Sequence, residues 1–457
     1  MTSTLRRAGG FAAVGTLSLA APALGVAAAA PFAAVAVLAA FVITDGPVFE
    51  LFARPGDRED GRLNGLASFA LAATGLALLA TVPRVPMPVG VFVATVLAVT
   101  YGNLGAQLVT TRTDGPPVSV AGFAALGFPV GIVGQVVVGI IAEPTAIAAT
   151  SLAAPAAATA ALPAFAFVAA CVTLVAALVR SVLHERDDPV VLLSAGLLAW
   201  VFDALVVDVG AVEVAAALVV TAALGFASYA LGTASVTGML TGVLLGLLTI
   251  VLGGFGWFVV LIAFFSVGGL STKFRYDEKR ARGVAEDNDG ARGSSNVLGN
   301  AAVAFVAVVG FATSTRLSAG PVVGTAFGFA FAGSVAAAMS DTLSSEIGGL
   351  YDRPRLITTF QPVAPGTDGG VTWQGEVAGV VGAAFVAALA LFLMPLSGPD
   401  EVVAGAVVLG GVAGMTVDSL LGATLEGDRI GNEAVNLLAT LTGAAVSGGV
   451  ALAVLPS

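Results

Sequence analysis

Residues 318–348 read SAGPVVGTAFGFAFAGSVAAAMSDTLSSEIG, an apolar run that ends in carboxylates and hydroxyls. The run 318–339 has the length of about 20 residues that a helix needs to cross a bilayer. Desolvating a carboxylate in lipid is costly, so a membrane segment has strong reason to leave such groups out. The polar string after residue 339 therefore suggests a membrane helix that leads to a polar site at one membrane face.

The composition extends this interpretation to the whole chain. Of its 457 residues, 57% are hydrophobic and 11% are charged, whereas a soluble chain carries roughly 25% charged residues. The apolar runs are continuous rather than alternating, which excludes a transmembrane β-barrel. We predict an all-α polytopic membrane helix bundle with about 13–15 transmembrane helices.

The candidate spans are 8–28, 31–52, 64–83, 88–108, 119–142, 160–179, 189–209, 211–230, 234–252, 255–270, 297–314, 318–339, 375–395, 401–420 and 433–455. The stretch 143–165, rich in Ala, Thr and Pro, is predicted to be a connector.

Basic residues in short loops predict which loops share a membrane face. The loop 271–296 holds six Lys and Arg residues, so the positive-inside rule places it in the cytoplasm. Two spans separate it from the loop 340–374, and two more lead to 421–432, so all three are expected at the same face. The chain starts like a signal peptide, but a second apolar segment follows directly, which favours an uncleaved first helix. We therefore expect a multi-pass cell-membrane protein whose N terminus and site loops are cytoplasmic.

Charge and rare residue types exclude several classes. The formal net charge of −10 argues against a nucleic-acid partner, because such proteins are basic. The single cysteine, Cys171, and the single histidine, His184, provide neither an internal disulfide nor the usual zinc site. Catalysis would have to rest on carboxylates, basic residues, hydroxyls and a hard cation.

Two further features lie within predicted spans. Asp203 and Asp208 are candidates as intramembrane carboxylates, but they lie about 140° apart on a helix and do not form an obvious pair. We expect Asp208 at the outer interface. Gly238, Gly242 and Gly246 recur every four residues and favour close helix packing in lipid, although a coding bias toward small residues would also produce them.

Three polar segments could carry chemistry. In the loop 271–296, Lys273 and Lys279 could act as point charges on a phosphate and Arg292 as a bidentate clamp; the loop could equally be a positive-inside anchor. Asp341 is expected at the membrane surface, with Glu346 on another helix face unless the helix breaks. Their hard oxygens suit Mg²⁺ with phosphate, and a polar helix cap is the alternative.

The third segment is Pro365–Gly370, PGTDGG. Glycine permits positive φ, so this loop can expose consecutive backbone N–H groups as a nest for an anion. A simple tight turn explains the same sequence.

The three segments gain meaning together, because all are expected on one membrane face. Phosphoryl transfer consists largely of positioning and of charge neutralisation by cations and donors. An acceptor for such a protein would be a lipid with a phosphate or hydroxyl head. The main alternative is a transporter or lipid flippase without kinase activity, which would place its polar groups near the bilayer midplane.

These residues resemble an integral-membrane family that includes the plant and cyanobacterial phytyl-phosphate kinases and many uncharacterised homologues. The resemblance covers about residues 232–457 and is carried by ordered motifs: Ser271-Thr272-Lys273, Lys279, Arg292 with Val297-Leu298-Gly299-Asn300, Asp341-Thr342 with Ser345-Glu346-Ile347-Gly348, Pro365 to Thr372, Asp418 to Leu425, and Gly431-Asn432 to Asn436. The chain departs from the family pattern at Asn296 and Glu426, where glutamine is expected. Residues 1–210 are not covered and are predicted to be an additional membrane domain, with 211–457 as the family domain.

The resemblance implies transfer of a phosphoryl group from a nucleoside triphosphate, CTP in characterised members, to an isoprenyl (geranylgeranyl or phytyl) monophosphate. The expected roles are as follows: Lys273, Lys279, Arg292 and Asp341 in catalysis; Gly366, Thr367, Asp368, Gly369 and Gly370 in nucleotide binding; Asp341, Glu346 and Asp368 as Mg²⁺ ligands; Asp418 and Asn436 in acceptor binding.

Overall fold

The computed structural model describes residues 3–142, 153–183, 188–206, 210–285, 292–427 and 429–454. It divides into two compact units, Met1–Ala216 and Ala217–Ser457. The sequence placed a division after residue 210, and the separate roles assigned to the two parts stay predictions.

The helices of the first unit follow one another from the N terminus, and the last of them continues into the second unit. They are α1 (Ser3–Gly15), α2 (Ala21–Leu24), α3 (Ala30–Val37), α4 (Gly46–Phe52), α5 (Pro55–Asp60), α6 (Asn64–Leu79), α7 (Val89–Thr110), α8 (Pro116–Ala142), α9 (Ala153–Val182), α10 (Asp188–Leu205) and α11 (Ala211–Ala230). Short 3₁₀ turns at Thr16–Ala20 and Gly25–Ala27 and a π-helical turn at Leu38–Val42 join the first helices.

The second unit contains α12 (Val236–Gly253), α13 (Phe255–Lys273), α14 (Tyr276–Arg282), α15 (Ser294–Arg316), α16 (Pro321–Gly348), α17 (Trp373–Leu393), α18 (Asp400–Gly422) and α19 (Asn432–Val454). Between α16 and α17, the two-residue strands β1 (Arg355–Leu356) and β2 (Gly370–Val371) pair antiparallel, with Arg355 opposite Val371.

The predicted all-α polytopic membrane bundle is confirmed. Within the described residues, 13 helical segments are long and apolar enough to cross a membrane. A further pair, Ala30–Val42 and Gly46–Phe52, is bent by 106° and forms either a broken span or a re-entrant loop. The predicted span 64–83 is helical only over Asn64–Leu79, an apolar helix shorter than the 13 candidate spans.

Two boundary predictions were wrong. α9 begins at Ala153, so the predicted connector 143–165 is helical from that residue, in keeping with alanine's strong helix propensity; residues 143–152 lie outside the described residues. The helix of the span 318–339 continues to Gly348. Asp341 and Glu346 therefore lie on its last turns rather than in a loop.

Glycines set the distances between α16, α18 and α19. A Cβ atom added to Gly443 would lie 2.5 Å from the Gly333 carbonyl oxygen, and one added to Gly414 would lie 2.8 Å from the Ala439 carbonyl oxygen. The helix backbones are thus in direct contact, as small residues allow in lipid. This packing fixes α16 relative to α18.

The three glycines predicted to pack closely in α12, Gly238, Gly242 and Gly246, are not all in close contact with other helices. A Cβ atom on Gly238 or Gly246 would meet neighbouring atoms, but one on Gly242 would meet nothing within 4 Å. The prediction of close packing is therefore wrong at Gly242, which faces open space.

Candidate functional site

Because α16 is a continuous helix to Gly348, the carboxylates of Asp341 and Glu346 point in different directions. Asp341 and Glu346 are five residues apart, which corresponds to about 140° around a helix. Asp341 is half-buried, whereas Glu346 is buried with 7% of its surface exposed. Each carboxylate consequently has its own set of neighbours.

Glu346 forms a buried ion pair with Lys279. One carboxylate oxygen, Oε1, accepts a 2.7 Å hydrogen bond from the Thr272 hydroxyl, and Oε2 accepts one from Lys279 Nζ. Lys279, 1% exposed, also donates to the Ser271 carbonyl oxygen at 2.6 Å. A buried charge is tolerated when it is paired and hydrogen-bonded in this way.

This ion pair holds three elements together. Lys279 on α14 reaches the last carbonyls of α13, where a cation is favoured by the helix dipole, and Glu346 belongs to α16. Within the described ranges, no three His, Cys, Asp or Glu side chains gather as a metal site. The structure therefore does not bring Asp341, Glu346 and Asp368, the predicted metal ligands, together as one set.

Asp341 instead faces Asp418 on α18. The two carboxyl groups lie within hydrogen-bonding reach of each other, and the Asp418 Oδ1 atom is buried without a hydrogen-bond partner. Two ionised carboxylates this close repel each other unless a proton or a cation lies between them. The pair therefore forms an anionic point at the end of two tightly packed helices.

Two more carboxylates follow on from Asp418: Glu426 lies near it, and Asp368 lies near Glu426. Burial, together with the neighbouring carboxylates of Asp368 and Asp418, raises the pKa of Glu426 above its ordinary value. Asp368 is exposed on the glycine loop, and Glu426 follows the end of α18. The site thus extends from the helix ends to the adjoining loops.

The glycine loop packs against the end of α18. Gly366 and Gly369 have φ values of +80° and +71°, and a Cβ atom on Gly369 would lie 2.6 Å from the Ala423 nitrogen. The loop's own turns use some of its amides: Thr367 N donates to Ala364 O at 3.2 Å and Gly370 N to Thr367 O at 2.9 Å. A full nest of five donors is therefore not formed, because two amides already have partners.

The loop also approaches the segment that follows α14. A Cβ atom on Gly366 would lie 3.3 Å from Val284 Cγ1, and one on Gly349 would lie 3.3 Å from Val284 Cγ2. Three polar segments that are remote in sequence thus meet at one end of the second unit. The membrane side on which they lie stays a prediction.

The other two basic residues predicted for the site, Arg292 and Lys273, also lie at α13. Arg292 is 8% exposed, and its guanidinium carbon lies 5.5 Å from the centre of the Phe264 ring. A Cβ atom on Gly268 would lie 2.9 Å from Arg292 Nη2. Thr272 lies one helix turn after Gly268, contacts the Gly268 carbonyl at 3.0 Å, and also contacts Glu346. Arg292 is therefore about one helix turn from the Glu346 ion pair. Exposed Lys273 donates to the Leu231 carbonyl at 2.8 Å.

Asn436 is buried, at 7% exposure, in the first turns of α19. α19 also contacts α15, where a Cβ atom on Gly299 would lie 3.1 Å from the Glu433 carbonyl oxygen. The role of Asn436 in acceptor binding stays a prediction.

The first unit has polar features of its own. A cavity of about 140 Å³ is lined by residues that include Arg7, Arg54 and Arg180, and Arg54 forms an ion pair with Asp188. Asp203 is half-buried in α10. Asp208 and His184 lie outside the described residues.

Sequence reasoning missed the pairing of Asp341 with Asp418 and the part played by Thr272. One signal was available for the pair: Asp341-Thr-Leu and Asp418-Ser-Leu each lie at the end of an apolar run and precede a glutamate. The Thr272 contact left no comparable signal, because it depends on how α13 is rotated against α16.

The fold and this site define an integral membrane protein with a cluster of carboxylates and buried cations at one end of its second unit. The sequence profile of the family described as "Integral membrane protein DUF92" matches residues 219–444. The chain belongs to this family, which confirms the resemblance seen in its motifs.

Several curated proteins are similar to the second half of the chain. An uncharacterised membrane protein of Methanocaldococcus jannaschii is 36% identical over 212 residues, which are 45% of this chain and 81% of that protein. A chloroplastic protein of Arabidopsis thaliana, VTE6, is 32% identical over 47% of this chain and 64% of its own length. An uncharacterised membrane protein of Synechocystis is 33% identical over 44% of this chain and 77% of its own length. No solved structure matches the chain.

Proposed function

We propose that the protein transfers a phosphoryl group from a nucleoside triphosphate, CTP-like, to an isoprenyl monophosphate such as geranylgeranyl or phytyl phosphate. A phosphate oxygen of the acceptor attacks the γ-phosphorus and forms a new P–O bond. The bond from that phosphorus to the β–γ bridging oxygen breaks, and a nucleoside diphosphate leaves. The product is an isoprenyl diphosphate.

The observation that carries this proposal is the facing pair Asp341 and Asp418, with its buried, unpartnered Oδ1 atom. Mg²⁺ is usually held by one or two carboxylates together with substrate phosphates rather than by a full protein cage. An all-oxygen pair with Glu426 and Asp368 nearby fits such an ion. When bound, the ion would neutralise charge on the triphosphate.

The surrounding residues then have distinct tasks. Asp341 and Asp418 would hold the cation, and the amides of Gly366 and Gly369 would bind an anion beside it. Arg292 supplies a positive charge toward the acceptor phosphate. The pair Lys279 and Glu346 positions α13, α14 and α16 around these groups rather than touching the reacting atoms.

The test is to incubate the purified protein with CTP, Mg²⁺ and geranylgeranyl phosphate and to measure the diphosphate product. Asp341→Asn and Asp418→Asn are each expected to reduce the rate at least a hundredfold. The matched control is Asp352→Asn, because Asp352 is an 81% exposed carboxylate paired with Arg282 in the same loop region.

Two results would overturn the proposal. One is the absence of diphosphate product with any common nucleoside triphosphate. The other is a wild type and an Asp341→Asn variant that perform alike. Mg²⁺-independent uptake of geranylgeranyl phosphate into sealed vesicles, with no product formed, would favour the transporter instead.

A further inference from the structure

An apolar cavity lies beside α12, at the place where Gly242 faces open space. Its volume is about 110 Å³, and its wall includes Gly238, Gly242 and Gly246 of α12, Phe265 of α13 and Arg292. All of these residues belong to the second unit. The cavity is therefore a space inside one compact body.

The shape of the cavity follows from the glycine spacing. Gly238 and Gly246 are eight residues apart, which corresponds to about 12 Å along a helix. Gly242, midway between them, leaves open space, whereas Gly238 and Gly246 are packed against their neighbours. The apolar cavity, called the slot below, is thus lined along α12 from its first turn to the middle of the span.

The ends of the slot differ in chemistry. Arg292 lines the end at the start of α12, where its carbonyl oxygen accepts a 3.0 Å hydrogen bond from Ser235 N. The hydroxyl residues Ser228 and Thr233 also line the cavity. Phe258 and Leu261 contribute apolar surface. A ligand complementary to this wall has an anionic head at Arg292 and a slim apolar tail.

The size limits what the slot holds. An apolar cavity of about 150 Å³ accommodates benzene, so a cavity of about 110 Å³ accommodates roughly one isoprene unit. A longer tail would continue out of the slot between the helices into lipid. The slot therefore suits a flexible chain better than a rigid ring system.

The slot lies close to the buried ion pair of Glu346 with Lys279. The guanidinium of Arg292 lies against Gly268, and Thr272, one turn further along α13, hydrogen-bonds Glu346 on α16. We propose that this slot binds the first part of the isoprenyl tail of the acceptor and that Arg292 binds its phosphate. This inference rests on the proposed function and adds where the acceptor lies.

The test is equilibrium binding of geranylgeranyl phosphate to the full-length protein in lipid nanodiscs, without nucleotide. Gly242→Leu adds a side chain to the wall of the slot, at a position where a Cβ atom has no neighbour within 4 Å. We expect it to weaken binding at least tenfold. The control is Gly449→Leu, the same substitution at an exposed glycine of α19 that also has open space around it.

A series of variants with side chains of increasing size at Gly242 distinguishes a filled slot from a misfolded protein. Gly242→Ala, Gly242→Val and Gly242→Leu are expected to weaken binding in that order, with thermal unfolding followed for each variant. Equal binding across the series, or an equal loss in Gly449→Leu, would overturn the inference. Inorganic phosphate that competes as well as geranylgeranyl phosphate would also overturn it, because the tail would then contribute nothing.

The outcome is separable from that of the proposed function. Binding that depends on Gly242, without any phosphoryl transfer, would support the slot as a lipid site and contradict the proposed kinase activity. Phosphoryl transfer with an unchanged KM for geranylgeranyl phosphate in Gly242→Leu would support the kinase activity and contradict the slot as the acceptor site.

Discussion

At the residue scale, the ion pair of Lys279 with Glu346 is buried on both sides. Removing one partner of such a pair leaves an uncompensated buried charge, at a cost of about 3–5 kcal/mol. We predict that Lys279→Met and Glu346→Met each lower the unfolding temperature clearly. The double variant is expected to be less destabilised than either single variant, because no lone charge remains. Thermal unfolding of the purified protein measures this.

The control for the pair is the exposed ion pair of Arg282 with Asp352. Arg282→Met is expected to change stability by about 1 kcal/mol or less, since exposed pairs contribute little. If the loss of stability in the double variant of Lys279 and Glu346 equals the sum of the losses in the two single variants, a lone buried charge is not the cause of the destabilisation.

Glu426 gives the site a pH dependence. Its pKa is raised by burial and by Asp368 and Asp418, so the folded protein binds this proton more tightly than the unfolded chain. Without a cation, the stability contributed by this group is present at low pH and is lost as pH rises through the raised pKa. A cation competes with the same proton, so Mn²⁺, used as a probe for Mg²⁺, should bind more tightly as pH rises.

We predict that Glu426→Gln flattens this pH dependence, measured as the Mn²⁺ dissociation constant at a series of pH values. Glu401→Gln is the control, because Glu401 lies in the first turn of α18, at the opposite end of that helix. An unchanged pH profile in Glu426→Gln would show that another group controls cation binding.

At the element scale, the contact of α16, α18 and α19 through glycine places the two aspartates. A Cβ atom on Gly443 would meet Gly333 O at 2.5 Å and Ala337 Cβ at 2.7 Å, and overpacking of this kind costs about 1–3 kcal/mol. We predict that Gly443→Ala lowers the unfolding temperature and also reduces activity by moving α18 relative to α16. Gly449→Ala, with open space around it, should change neither; an equal effect in both variants would exclude packing as the cause.

The sequence predicts the helices better than the contacts between them. Apolar runs fix the spans because lipid admits little else, and the fixed helical period correctly predicted that Asp341 and Glu346 face different ways. The polar residues after Met339 did not reveal where α16 ends, since a helix can continue past the lipid, here to Gly348. The contacts of Asp341 with Asp418 and of Glu346 with Lys279 were not predicted, because they depend on the rotation of neighbouring helices; for the first pair, the similar strings Asp341-Thr-Leu and Asp418-Ser-Leu were the one available signal. Gly242 shows the same limit: spacing alone does not distinguish a packing glycine from one that lines a cavity.

At the scale of the whole molecule, the family match and the candidate site lie in the same half. The profile covers residues 219–444, and every group assigned to the site belongs to Ala217–Ser457. The 212 residues shared with the Methanocaldococcus jannaschii protein make up 81% of that protein. That relative therefore has little room for a counterpart of the first unit.

This size comparison leads to a prediction about the second unit alone. A chain that begins at Ala211 keeps all of α11 and the packing of α16, α18 and α19, so we expect it to fold in lipid nanodiscs. It should bind geranylgeranyl phosphate within about threefold of the full chain, because the slot and Arg292 remain. A chain that begins at Val236 is the control: it lacks α11, which contributes Thr221 and Ser228 to the cavity wall, and should lose binding. Loss of folding or of binding in the longer chain would mean that the first unit is required for the second.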